Sequence, residues 1–435
     1  MIFSALPAPG PLRGTVRVPG DKSISHRAVL FAAMAEGTSL LTGVLDSADV
    51  RSTLGAVAAL GAVVDITGRG ADGLDVAVTG WGAAGPREPS ATIDCGNSGT
   101  TCRLLMGVVA PWPITVVLDG DMSLRKRPMR RVTDPLALMG AHFETHEGHL
   151  PVTVHGAPLR ALRYESPVAS AQVKTAVLLA GLGALGVTTV IEPAPSRDHT
   201  ERLLPAFGVG VVCDPAALSC SLTGMAELEA SDVAVPADPS SAAFIVGAAL
   251  LVPGSEVVVR DVALNPTRTG FLRVLERMGA RLRTTVERAA GAEPTGTVEV
   301  TYSGDLRSTT VRADEAPSLI DEIPLLAIVA SAATGVTRFE GVRELRVKES
   351  DRLEAIAQGL TALGATARSG DDWLEVEGPA KLHGARLSSL GDHRLAMAWA
   401  VAALSADAPV EIPLWEAVDV SYPGFASDLA ALART

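Results

Sequence analysis

Five times along the chain, hydrophobic positions at helical spacing end in a hydrophobic–Gly–small stop and give way to strand-like residues. The copies are Ala58-Ala59-Leu60-Gly61-Ala62-Val63-Val64, Ala137-Leu138-Met139-Gly140-Ala141-His142-Phe143, Pro205-Ala206-Phe207-Gly208-Val209-Gly210-Val211, Glu276-Arg277-Met278-Gly279-Ala280-Arg281-Leu282 and Thr361-Ala362-Leu363-Gly364-Ala365-Thr366-Ala367. Each predicts a helix stopped by a left-handed Gly and followed by a strand. The glycines stand 68 to 85 residues apart, too far for a solenoid repeat and suited to a βαβαββ unit. A sixth helix, Phe425 to Leu432, ends where its Gly would fall. Six units are therefore expected, the last completed by the N-terminal strand Gly14-Thr15-Val16-Arg17-Val18.

Three longer apolar runs, Ala176 to Val187, Ala242 to Val252 and Leu395 to Leu404, fall short of the roughly 20 residues that span a bilayer. They read as helices buried on all sides. Six units divide into two lobes of three. Closure by the first strand assigns residues 1–19 plus 237–435 to a C-terminal lobe and 20–236 to an N-terminal lobe. The chain would cross near Pro19-Gly20 and near Pro236-Ala237-Asp238-Pro239, where Pro and Gly cluster. An α/β protein of this form offers an interlobe cleft for a small ligand, with helix N-termini favouring an anion.

Composition narrows the ligand. The 435 residues are 47% apolar and 20% charged, with net charge −12. That is an ordinary globular composition, and its acidity argues against nucleic acid as a partner. Against this background, cations gather in Asp21-Lys22-Ser23-Ile24-Ser25-His26-Arg27, in Arg346-Val347-Lys348-Glu349-Ser350-Asp351-Arg352 and in Gly391-Asp392-His393-Arg394. An acidic chain that concentrates Lys and Arg this way is suited to a small polyanion. The first residues carry no cationic start and no apolar h-region, so no signal peptide is read. Cys95, Cys102, Cys213 and Cys220 lack CxxC spacing and are expected as buried, reduced thiols of a cytoplasmic protein.

Several segments admit a chemical and a plain reading. Lys22 and Arg27 are five apart, which favours a loop-to-helix turn before a helix His26 to Ala35. Gly96 to Thr101 can offer backbone N–H groups to an anion or simply cap the helix Cys102 to Val109. The run Arg125, Lys126, Arg127, Arg130 and Arg131 can, in isolation, bind nucleic acid or form a solvated face, and the acidity of the chain argues against nucleic acid. Ser170 and Gln172 can bind a ligand or open the buried helix Val173 to Leu182. Asp321, ahead of Ile323-Pro324-Leu325, reads by position as an ordinary helix cap. Lys348 and Arg352, four apart, would share a helix face, with Glu349 and Asp351 beside them as an alternative ion-pair ladder.

The segments just quoted, together with Ser196-Arg197-Asp198-His199-Thr200-Glu201 and Leu264-Asn265-Pro266-Thr267-Arg268, resemble in order the 5-enolpyruvylshikimate-3-phosphate synthase family. The likeness is to its Bacillus- and Agrobacterium-like branch and covers essentially the whole length. It implies a two-lobed enolpyruvyl transferase fold with the active site between lobes. The implied reaction moves the enolpyruvyl group of phosphoenolpyruvate to the 5-hydroxyl of shikimate 3-phosphate and releases phosphate. By the same resemblance, shikimate 3-phosphate is held by Lys22, Ser23, Arg27, Ser170, Gln172, Ser196, Arg197, Asp321 and Lys348. Phosphoenolpyruvate falls to Lys22, Gly99, Arg127, Gln172, Arg352 and Arg394. Asp321 takes the hydroxyl proton, Glu349 exchanges protons at the methylene carbon, and Lys22 lies between the ligands. No cofactor and no metal is implied, nor any nucleic acid or membrane partner, and a monomer is expected. Glyphosate is implied as an inhibitor competing with phosphoenolpyruvate.

Three positions depart from the enterobacterial pattern: Glu344 stands for an Asn, Val420 for a pocket Lys and His199 for a Tyr. His142, His146 and His149 follow a repeat Gly and are read as strand and turn residues, not zinc ligands. Two alternatives share the scaffold. One is enolpyruvyl transfer to a UDP-amino sugar, for which the reactive loop Cys is not recognisable. The other is a non-catalytic anion-binding module, which would have no use for both Asp321 and Glu349.

Overall fold

The computed structural model describes residues 1–70, 73–288 and 293–434. The chain forms two compact units, one of Met1–Pro19 with most of the chain from Pro236 on, the other of Gly20–Val235. The second unit holds three four-stranded sheets, built alike. In one, Ile93–Asp94 lies parallel to Thr115–Asp119, which pairs antiparallel with His149–His155, itself antiparallel to His142–His146. Arg163–Glu165, Val187–Ile191, Ser219–Thr223 and Val211–Asp214 repeat that order. So do Val233–Ala234, Thr38–Val44, Gly73–Thr79 and Val63–Gly70, with the short strand supplied from the far end of the unit.

In the first unit two four-stranded sheets follow the same plan. Arg13–Val16 runs parallel to Glu256–Ala263, and Thr310–Val311 runs parallel to Gly335–Glu340. The third is reduced: Ile2–Ala5 pairs antiparallel with Val410–Pro413, and Arg386 bridges Glu411 in parallel. The strand expected to complete the last unit is therefore not the one that does. Residues 14–16 serve the fourth unit, and the first residues of the chain close the sixth. The reason lies in the repeat. Ile93–Asp94, Arg163–Glu165 and Thr310–Val311 each lead into a buried helix and lie parallel to the strand after it, but at the two crossings the short strands are exchanged: Arg13–Val16 lies beside Glu256–Ala263 and Val233–Ala234 beside Thr38–Val44. Asp238, the N-cap of the helix Pro239–Leu251, donates its backbone N–H to the Pro19 carbonyl.

All five repeat glycines, Gly61, Gly140, Gly208, Gly279 and Gly364, have φ between 84° and 118°. A side chain there would be strained, which is why the stop motif carries Gly. Each unit also contributes one central helix: α1 (Lys22–Met34), α2 (Gly99–Val109), α3 (Ala171–Leu182), α4 (Pro239–Leu251), α5 (Ile323–Ser331) and α6 (His393–Ala403). Every residue of α4, α5 and α6 is buried, so the runs from Ala242 and from Leu395 do form helices enclosed on all sides, whereas the run from Ala176 leaves its helix at Leu182 and ends on the exposed Leu185 and Val187. Helices α2 and α3 approach backbone to backbone, since a Cβ on Gly107 would lie 2.2 Å from the Ala176 carbonyl oxygen. No described helix is long and apolar enough to cross a membrane. Cys95, Cys102 and Cys220 are buried free thiols, but Cys213 is exposed because its strand, Val211–Asp214, is a sheet edge.

Candidate active site

Of the residues singled out above, Lys22 stands at the N-terminus of α1, Gly99 of α2, Gln172 of α3 and Arg394 of α6, where backbone N–H groups and the helix dipole favour anions. In the Gly20–Val235 unit, α1 starts at Lys22, with Asp21 accepting the Ile24 N–H at 2.8 Å. Lys22 to Arg27 are thus already helical; the expected loop-to-helix turn is absent because Asp21 caps earlier than His26. Lys22 Nζ donates to Asp49 Oδ2 at 3.1 Å. Arg27 is buried. Its Nε donates to Thr200 Oγ1 at 2.8 Å, Nη2 to Thr175 Oγ1 at 2.8 Å and Nη1 to the Ser23 carbonyl at 3.0 Å. Burial pulls its pKa down to about 10. Arg197, whose charge adds to that lowering, belongs to the same cluster.

Ser98 caps α2 by accepting the Thr101 N–H at 3.1 Å, so the capping reading of Gly96 to Thr101 holds. Behind the cap, Arg103 donates to Gln172 Oε1 at 2.6 Å, and Gln172 donates to Thr100 Oγ1 at 2.9 Å. Arg127 Nη2 donates to Asn97 Oδ1 at 2.8 Å. A Cβ on Gly99 would meet Arg103 Nη1 at 3.2 Å and Arg127 Nη1 at 3.4 Å. Gly99 therefore lies where two guanidinium groups converge. Ser170 caps α3, and Ser196 Oγ donates to Glu192 Oε2 at 2.9 Å.

The other unit carries the carboxylates. Asp321 lies in a short 3-10 turn before α5 and makes no cap; α5 has no side-chain cap at all. Instead Asp321 Oδ1 takes Arg352 Nη1 at 3.0 Å, with Lys348 Nζ at 3.8 Å and Arg394 Nε at 3.9 Å. Lys348 and Arg352 do not share a helix face. Lys348 ends the turn Arg343–Val347, and Asp351 caps the helix Arg352–Ala362, so the pair meets at Asp321 by side-chain reach. Lys348 also donates to Glu344 Oε1 at 3.2 Å.

Arg352, fully buried, donates through Nε to Asp392 Oδ2 at 2.7 Å and through Nη2 to Glu349 Oε2 at 2.7 Å. Burial alone would lower its pKa, but Asp392, Glu349 and Asp321 outweigh that and leave it raised. Asp392 also caps α6 by accepting the Arg394 N–H at 2.9 Å. Arg394 Nη1 donates to the Asp321 carbonyl at 3.1 Å and reaches Glu322 Oε1 at 3.4 Å. Val420 ends the turn Trp415–Val420.

Sequence reasoning missed Arg103, Asp392 and Glu322 as site residues. Arg103 could have been found as a lone charge inside the apolar run Cys102 to Val109. Asp392 stood in a quoted segment and Glu322 lies next to Asp321, but nothing in local spacing says which arginine each carboxylate serves. His142, His146 and His149 lie on the hairpin His142–His146 and His149–His155, away from these clusters in sequence and element.

In these repeated βαβαββ units, cations such as Lys22 and Arg394 stand at buried helix N-termini, and Asp321 lies among Arg352, Lys348 and Arg394. The profile of the family described as EPSP synthase (3-phosphoshikimate 1-carboxyvinyltransferase) matches residues 6–429, and the chain belongs to that family. It is 49% identical over 425 residues to the 3-phosphoshikimate 1-carboxyvinyltransferase of Halorhodospira halophila, covering 97% of this chain and 94% of that one. The enzyme of that name from Brevibacillus brevis is 46% identical over 416 residues, covering 95% and 96%. Among solved structures, EPSP synthase from Acinetobacter baumannii superposes with a TM-score of 0.88 at 41% identity, covering 99% of this chain and 98% of that one. The enolpyruvyl transferase NikO from Streptomyces tendae shares the fold, with a TM-score of 0.78 at 20% identity over 99% and 97% of the two chains.

Proposed function

We propose that the chain is a 3-phosphoshikimate 1-carboxyvinyltransferase, moving the enolpyruvyl group of phosphoenolpyruvate to the 5-hydroxyl of shikimate 3-phosphate with release of phosphate. The observation that carries the catalytic part is the seat of Asp321. One oxygen of a buried carboxylate stands within 4 Å of Arg352, Lys348 and Arg394. Such a group suits a base that takes a hydroxyl proton while fixed cations stabilise the charge that develops on the ligands.

In this reading Lys22, Ser23, Arg27, Ser170, Gln172, Ser196 and Arg197 hold shikimate 3-phosphate, together with Asp321 and Lys348. Lys22, Gly99, Arg127, Gln172, Arg352 and Arg394 hold phosphoenolpyruvate. Arg352 already donates to three carboxylates, so the substrate carboxylate would displace one of them. Glu349 is the least buried of the three, with its side chain 26% exposed. Released from Arg352, it is the group placed to exchange a proton with the methylene carbon. Protonation there makes C2 electrophilic, the 5-oxygen adds as Asp321 takes its proton, and the tetrahedral adduct then loses phosphate while Glu349 takes a proton back from the methyl group, restoring the double bond. Orientation and fixed charge supply most of the acceleration. The enzyme works on phosphorylated metabolites in the cytoplasm, as a monomer.

Phosphate release tests the reading. It is expected with both substrates together and absent with either alone. Turnover when a UDP-amino sugar replaces shikimate 3-phosphate, with none on shikimate 3-phosphate itself, would transfer the chain to the other enolpyruvyl activity. Binding of both ligands without phosphate release would make it an anion-binding module.

A further inference from the structure

Beneath the seats of Ser170, Ser196 and Arg27 lies a buried cluster of three charges to which the reaction assigns nothing. Glu192 Oε1 accepts the Ser170 backbone N–H at 3.0 Å, and its Oε2 accepts the Ser196 hydroxyl at 2.9 Å. Lys174 Nζ pairs with Glu192 Oε2 at 2.8 Å and with Glu201 Oε1 at 2.7 Å. All three side chains are at most 6% exposed. Well-packed apolar residues would commonly be as stable here as a buried ion triad, so stability alone is a weak reason for these charges.

We infer that Glu192, held by Lys174 and Glu201, is a positioning residue for the phosphate end of the shikimate 3-phosphate site, acting through Ser170 and Ser196. This rests on the function proposed above. The two serines come from different elements: Ser170 is the cap of α3, and Ser196 lies in the connection between the strand Val187–Ile191 and the helix His199–Leu203. Glu192 joins them through its two oxygens. Lys174 and Glu201 each adjoin, in sequence, a threonine that holds Arg27: Thr175 takes Nη2 and Thr200 takes Nε. The cluster thus underlies three residues assigned to shikimate 3-phosphate.

The hydrogen-bond directions add a dynamic element. Ser196 donates its proton to Glu192, whereas a phosphate dianion offers only acceptors. Ser196 must turn its hydroxyl from the carboxylate to the ligand, while Lys174 keeps Glu192 in place for the return.

Glu192→Gln removes one acceptor and sets an NH2 against either the Ser170 N–H or the Lys174 ammonium. The Michaelis constant for shikimate 3-phosphate is expected to rise roughly tenfold or more, the scale of a lost charge-assisted hydrogen bond. It should rise well beyond any change in the constant for phosphoenolpyruvate or in kcat. Glu192→Asp, which keeps the charge beside Lys174, should recover part of the loss and carries the same reading if the Gln variant does not fold. A shikimate 3-phosphate constant within twofold of wild type, or an equal rise in both constants, overturns the inference. So does failure of both variants to fold, which would make the cluster structural. Wild type is assayed first: absence of phosphate release there sinks the proposed function, whereas an active wild type beside an unselective Glu192→Gln sinks only the positioning role.

Discussion

Arg352 Nη1 donates to Asp321 Oδ1 at 3.0 Å, so the arginine assigned to phosphoenolpyruvate also holds the carboxylate assigned to the acceptor's proton. Donor binding and proton acceptance thus share one ion pair. The same guanidinium reaches Glu349 and Asp392, which places both acid–base candidates under one cation.

Asp321→Asn keeps the shape and loses the proton-accepting charge. Turnover should fall by about two orders of magnitude or more, the range of general-base removal, while shikimate 3-phosphate still binds. Calorimetric titration and phosphate release check the two halves. Turnover within tenfold of wild type would remove Asp321 from the base role.

Arg352→Met should lower unfolding stability by about 3–5 kcal/mol, because it takes from the buried Asp392 carboxylate the cation it pairs with and from Asp321 the nearest of its three. Arg352→Lys should restore much of that stability but little activity, since a point charge cannot reproduce the planar fork that joins three carboxylates. Denaturant unfolding alongside the activity assay decides it. A Met variant as stable as wild type would show that the carboxylates find other partners.

Much of the fold was legible because it is written in local steric terms. Gly61, Gly140, Gly208, Gly279 and Gly364 adopt the left-handed conformation their stop motif demands. The all-buried α4 and α6 follow from runs with no polar face. What stayed hidden was non-local. Arg13–Val16 and Ile2–Ala5 are both short, and only their partners hundreds of residues away decide which sheet each completes. The site shows the same split. Lys348 and Arg352 both reach Asp321, but not from one helix face as their spacing suggests, because Asp351 starts the helix after Lys348. Arg103, which holds Gln172 across 69 residues, has no local signal of its partner.

Gly99→Ala would put a methyl 3.2 Å from Arg103 Nη1 and 3.4 Å from Arg127 Nη1. Gln172 and Asn97 restrain those groups, so the pocket rather than the arginines must give. The wild type should be inhibited by glyphosate in competition with phosphoenolpyruvate. The substitution should raise the inhibition constant more than the Michaelis constant, by excluding the longer ligand more than the compact one. Equal rises in the two constants would contradict this.

His26 is buried, with Nδ1 2.7 Å from Thr53 Oγ1, and burial lowers its pKa from about 6.5 to about 3. The folded protein keeps it neutral while the unfolded chain protonates it near pH 6.5. Below that, the unfolded state holds the extra proton, so stability falls as pH falls toward 3, by at most about 1.4 kcal/mol per pH unit from this group. His26→Asn, which does not titrate, should flatten that part of the profile. Parallel urea unfolding curves at pH 7 and pH 4.5 test it, and an identical pH loss in both proteins would rule out His26 as a source.

Carbon NMR of the complete reaction, run with phosphoenolpyruvate labelled at C2, tests the account most directly. The label should move from the phosphate ester to an enol ether on the 5-oxygen of shikimate 3-phosphate, with one phosphate released per ether formed. Label recovered as pyruvate, or left in phosphoenolpyruvate while both substrates are bound, would contradict it.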